Sequence, residues 1–171
     1  YYSKTGGKYA PDMEKQLKSQ LSKLEKHTGK KLGDPKDPLL VSVRSGAAVS
    51  MPGMMDTVLN LGLTDKSVMG LIEQVGNERT GWDCYRRFID MFGDVVMGPY
   101  TGLTHEDFED ELIKIKKKYK AAEDTDLSAA QLKELVGNYK KVYLTKVKKP
   151  FPQDPYEQLN LSIRAVFGSW N

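Results

Sequence analysis

The sequence predicts an α+β chain that is mostly helical, with strands confined to about residues 39–44 and 56–62. Apolar residues recur at helical spacing along most of the 171 residues. One short β-branched run, Leu39-Leu40-Val41-Ser42-Val43, follows Asp37-Pro38 and reads as a buried strand. Apolar residues make up 39% and charged residues 29%, a mixture that builds a core and excludes a disordered tail or a collagen-like chain. The length fits one domain, or one with a small subdomain. No apolar run reaches the roughly 18 residues of a bilayer span. A lone cysteine, Cys84, excludes an intramolecular disulfide and fits a reducing compartment.

Each helix has its own signal. Met13, Leu17, Leu21 and Leu24 form a stripe behind Pro11, and Gly29 suits the stop. Val68, Leu71, Ile72 and Val75 predict a short helix ending at Gly76, and Trp82, Tyr85, Ile89, Phe92 and Val96 a longer one. Thr104-His105-Glu106-Asp107 is a capping-box-like start, and Phe108, Leu112, Ile115 and Tyr119 continue it as one apolar face. Leu132, Leu135, Val136, Tyr139 and Val142 follow Ser128; Tyr156, Leu159, Ile163, Val166 and Trp170 follow Asp154-Pro155. Loops are expected at 101–102, 122–127 and 148–152.

The formal net charge of +3 hides an asymmetry, because residues 114–149 carry eleven lysines against four acids. Without interleaved stacking aromatics or a recognition motif, this does not read as a nucleic-acid surface. The helix from Thr104 instead has acids in its first turns and lysines in its last, which complements the helix dipole. These lysines read as a solvated face.

Residues 44–55 depart from the pattern: they are small, glycine-bearing and apolar without period. The chain then turns strand-like, with Val58 and Asn60 alternating against Leu59 and Leu61. Arg44 leaves a strand end into this loop of small residues, so a guanidinium and close backbone N–H groups are offered together. Phosphate oxygens bind well to such a pair; a structural salt bridge in a tight turn is the competing reading. Met51, Met54 and Met55 fill core gaps or lie over a ligand.

The run LVSVRSGAAVSMPGMMDTVLNLGL over residues 40–63 closely resembles the nucleotide-binding domain of the pyruvate, phosphate dikinase family. The similarity continues through CYRRFIDMFGDVVM (84–97), TDLSAAQLKELV (125–136) and PFPQDP (150–155). It implies an ATP-grasp-type fold that binds Mg-ATP and transfers the β,γ-pyrophosphoryl group to a histidine on a separate domain. Inorganic phosphate then accepts one phosphoryl, and the remaining phosphohistidine converts pyruvate, held in a further barrel, to phosphoenolpyruvate. The resemblance assigns Arg44 to the ATP phosphates, and Gly53, Met54, Met55, Asp56 and Thr57 to a loop closing over the nucleotide; Asp56 also reads as a loop cap.

By the same resemblance, residues 1–63 belong to the nucleotide-binding subdomain, 64–148 form a helical insertion, and 149–171 return to the first. Arg86 and Arg87 are expected on the surface of that insertion. The family's phosphate-binding lysine, its Mg²⁺ ligands, its phosphorylated histidine and its catalytic cysteine have no counterpart in these residues. Expected partners are ATP or AMP, phosphate, and the phosphohistidine and pyruvate-binding domains of the parent, itself a homodimer. Neither nucleic acid nor a membrane is expected. Members work in cytoplasm, plastid or glycosome. His27 closes a lysine-rich helix and His105 sits in a capping box, so neither reads as catalytic; Cys84 reads as a core thiol, and Lys4-Thr5-Gly6-Gly7-Lys8 lacks phosphate-loop spacing. A start at Tyr1, not methionine, and a close directly after a helical pattern lead us to expect a piece of a larger protein, inactive alone. The competing expectation is a free-standing, non-catalytic module of the same fold.

Overall fold

In the computed structural model, residues 9–46 and 55–169 are described. The first helix, α1 (Met13–Thr28), stops where Gly29 turns left-handed at φ 70°. Only Leu21 of its stripe is fully buried, and Leu24 stays exposed. A short parallel pair follows, β1 (Lys31–Leu32) with β2 (Pro38–Leu39). Asp34 Oδ1 closes the turn between them, accepting the N–H groups of Lys36 at 2.8 Å and Asp37 at 3.0 Å.

The expected buried strand 39–43 divides in two. β3 (Val41–Val43) pairs antiparallel with β4 (Val58–Leu61), so the chain changes sheets at Leu40. Leu39 is buried, but Ser42 is exposed and both valines are only half covered. The expected alternation along β4 also fails. Asn60 adopts φ 58°, inserting one residue between the pairs Val41–Leu61 and Val43–Val58. This bulge places Val58 and Leu61, three apart, together in the core and leaves Leu59 outside.

The helices follow the sequence closely. α2 (Ser67–Val75) ends at left-handed Gly76, and Asn77 caps α3 (Glu78–Met91) by accepting from Thr80 N–H at 3.0 Å. Gly70 lets α2 lie against the β1–β2 turn, where a Cβ would stand 2.6 Å from Pro35 O. The predicted long helix does not stay α-helical to Val96. It passes into a π-helical stretch, Phe92–Met97, and then α4 (Gly98–Thr101), which stops at Gly102. The expected capping box forms, Thr104 N–H donating to Asp107 Oδ2 at 3.0 Å, and opens α5 (His105–Tyr119). A 3₁₀ turn, Asp124–Asp126, leads to α6 (Ala129–Val147), itself opened by a capping box of Ser128 and Gln131. Asp154 caps the last helix, α7 (Pro155–Gly168), accepting from Tyr156 N–H at 2.9 Å.

One hydrophobic cluster runs from Leu21 on α1 to Ala165 on α7. Phe151, between α6 and α7, is its hub, with ring centroids 5.2 Å from Tyr143, 5.5 Å from Phe92 and 5.7 Å from Phe88. Gln158 on α7 is completely buried and fully bonded. Its Nε2 donates to Leu63 O at 2.9 Å and Pro152 O at 2.8 Å, while Oε1 accepts from Gly62 N–H at 3.1 Å. That one amide joins the end of β4 to α7.

Arg86 overturns its expected surface position. It is 5% exposed, paired with Asp83 at 2.8 Å and reaching Asp124 at 3.6 Å. Two carboxylates, one a turn earlier and one from the 3₁₀ turn, compensate the buried guanidinium. Arg87 does lie outside, 63% exposed, as expected. Among the lysines of 114–149, five tie elements together or brace a helix, including Lys116 to Asp124 at 3.1 Å and Lys146 to Asp107 at 2.8 Å.

Candidate functional site

β3 and β4 leave their sheet together at Arg44 and Thr57, because Val43 is registered on Val58. Arg44 is exposed, and among the described residues its guanidinium forms no ion pair. The tight-turn salt bridge weighed against phosphate binding is thus not seen among them. On the other strand, Met55 is half-buried against the core, Asp56 is exposed and Thr57 half-buried. Gly53 and Met54 lie outside the described residues.

Asp56 and Thr57 line a cleft of about 620 Å³, together with Leu59 and Asn60 of β4. Its facing wall is one side of α3 and the π-helical stretch, where Asp83, Arg87, Asp90 and Asp94 recur at i, i+4, i+7 and i+11. Arg44 does not line this cleft. The structure therefore gathers Asp56 and Thr57 with a helical face that was not expected to matter, and leaves Arg44 outside on the sheet end.

The charges of the cleft are largely paired. Asp83 accepts from Arg86 on its inner side and from Arg87 Nε at 3.0 Å on its outer side. Asp90 is 8% exposed and faces His105, whose Nδ1 lies 2.9 and 3.0 Å from its two oxygens. Burial pushes the Asp90 carboxyl up, while His105 and Arg86 pull it down. The same contact raises His105. His105 is thus both a helix-start residue, as expected, and half of a hydrogen-bonded pair with Asp90. Asp56 and Asp94 form no ion pair among the described residues.

Cys84 is half-buried and not a full core residue: one side packs on the cluster and the other faces the cleft. Burial and neighbouring Asp83 raise its thiol, which keeps it protonated and unreactive. Among the described residues, no group of three or more His, Cys, Asp or Glu is placed to hold a metal ion. The cleft carboxylates do not converge on a cation, so the described residues do not fit the family's Mg²⁺.

The fold and cleft define a helix-rich α+β segment in which Asp56 and Thr57, directly before β4, border a charged groove. No family model matches it. The chain is 52% identical over 99% of its length to a protein named pyruvate, phosphate dikinase 1, chloroplastic, from Arabidopsis thaliana, and spans 17% of that protein. It is 49% identical to pyruvate, phosphate dikinase from Giardia intestinalis, covering 99% of the chain and 19% of the relative. Against the chloroplastic pyruvate, phosphate dikinase 1 of Zea mays it is 56% identical over 86% of the chain and 15% of the relative. The chain belongs to the pyruvate, phosphate dikinase family as the homologue of one stretch of those proteins. Among the described residues, no helix is long and apolar enough to cross a membrane.

Proposed function

We propose that the chain forms part of the nucleotide-binding region of a pyruvate, phosphate dikinase, with Arg44 directed at the phosphates of ATP. The observation that carries this is an exposed guanidinium with no carboxylate partner among the described residues, standing at the end where the pairing of β3 and β4 stops. Phosphoryl transfer depends mainly on positioning and on neutralising charge that spreads over phosphate oxygens. A guanidinium supplies both through paired N–H donors in fixed geometry. Gly53, Met54 and Met55 would close over the nucleotide, and Asp56 and Thr57 would anchor the returning strand at the cleft. Residues 64–148 would be the helical insertion that buttresses this wall, between nucleotide-binding segments 1–63 and 149–171.

In the whole protein, this region would hand the β,γ-pyrophosphoryl group to a histidine on another domain, on the way from ATP, phosphate and pyruvate to AMP, pyrophosphate and phosphoenolpyruvate. Mg²⁺ would offset phosphate charge there, held by residues outside the described set. The isolated chain would carry one wall of the site. Calorimetric titration with Mg-ATP tests this: no binding in the micromolar range is expected. Micromolar affinity would show a complete site and favour a free-standing nucleotide-binding module.

A further inference from the structure

We propose that the His105–Asp90 pair is a proton-controlled latch, fastening the start of α5 to α3 while the imidazole is protonated and slackening as the proton leaves, so that the cleft wall opens beside Asp90. Among the described residues, this contact is the only direct side-chain hydrogen bond between α3 and α5. It sits at a natural hinge. Gly102, at φ 68°, ends α4 two residues before the Thr104 cap. One turn further on, Phe108 is buried against Gly93, where a Cβ would stand 2.5 Å from its ring. Phe108 and the Asp107–Lys146 pair therefore hold α5 whatever the state of the latch, and the response is confined to its start at His105 and Glu106.

The charges facing the imidazole come from three elements. Asp90 of α3 is in contact, with Arg86 behind it; Asp94 of the π-helical stretch and Glu109 of α5 itself add negative potential. Glu106 neighbours the ring on α5, and Arg87 and Asp56 lie across the same cleft. Lys146 of α6 is engaged by Asp107 on the other flank of the turn. The protonated ring compensates a nearly buried carboxylate. A neutral ring still donates Nδ1–H, but the bond loses one of its two charges and much of its strength. His105 is raised by its partner, so the latch is tight below the ordinary histidine range and slackens as pH rises through the raised value.

The test uses the intact 171-residue chain. Proton NMR follows the His105 ring with pH, the same chain unfolded in urea serving as the reference, while amide exchange corrected for intrinsic chemistry follows residues 105–107. We expect His105 to titrate above its unfolded-state value, and first-turn exchange to quicken by about two- to fivefold in step with it. His105→Asn keeps a donor without titration and makes that exchange independent of pH. Asp90→Asn brings the His105 titration down towards its unfolded-state value. The latch is refuted if His105 titrates at or below its unfolded-state value, or if first-turn exchange stays flat through its titration. Should Asp90→Asn fail to fold, the unmutated chain and His105→Asn still decide the matter.

Discussion

Replacing Gln158 by methionine keeps the volume of the side chain and removes its amide from the centre of the molecule. Three backbone groups then lose their partner: the N–H of Gly62 and the carbonyls of Leu63 and Pro152, bonded at 3.1, 2.9 and 2.8 Å. The site is completely buried, so water does not replace the amide without a rearrangement of α7. Each stranded group costs about 1–3 kcal/mol, the carbonyls towards the lower end because each keeps a second lone pair. The expected loss is therefore about 3–5 kcal/mol, a large share of the 5–15 kcal/mol typical of a domain. Urea unfolding followed by tryptophan fluorescence reads it as a lower midpoint at unchanged slope. Gln158→Glu is the matching control: it retains an acceptor for Gly62 N–H, loses both donors, and is expected to recover no stability near neutral pH. A loss below about 1 kcal/mol for Gln158→Met would refute the reasoning, since it would mean that the three groups are satisfied in another way.

Phe151→Ala empties the hub of four aromatic rings and is expected to cost about 3–5 kcal/mol in the same assay, more than a truncation of half-exposed Leu24. Asp107 is held below the usual carboxylate range by Lys146 and by Thr104 N–H. Its contribution is present above its unfolded value and is lost as pH falls through the lowered folded value, so Asp107→Asn flattens the acid limb of the stability curve and costs about 1 kcal/mol at neutrality. In a full-length dikinase, the equivalent of Arg44→Ala is expected to abolish most pyrophosphoryl-enzyme formation from ATP while sparing the pyruvate half-reaction. Equal loss of both partial reactions, measured with labelled ATP and labelled phosphoenolpyruvate, would show that Arg44 does not act on the nucleotide.

The helices were legible because their signals are local. Gly29, Gly76, Asp154 and the Thr104–Asp107 box act within one turn of where they stand, and each does what its spacing implies. Strand detail was not legible for the opposite reason. Whether residues 39–43 make one strand or two depends on β1 and β4, which lie elsewhere in the chain, and a run of apolar residues reads alike in either case. Asn60 is a partial exception. Asparagine tolerates the left-handed region better than most residues, so an Asn inside a strand pattern already hints at the bulge that brings Val58, in place of Leu59, beside Leu61 in the core.

Arg86 and Arg87 show where the limit lies for the candidate site. Adjacent on α3, they diverge by about a hundred degrees, so one faces the interior and the other the cleft. Sequence spacing alone contains the stripe Asp83, Arg87, Asp90 and Asp94, three acids and one base at helical period, but did not mark it as the wall of a cleft. It was not enough to find the partner of Asp90, because His105 returns to α3 only after the π-helical stretch and α4 have carried the chain round. Charge placement in this cleft thus depends on a contact between elements that periodicity along one helix cannot express, and residues read as ordinary helix surface or helix start come to line the groove beside Asp56 and Thr57.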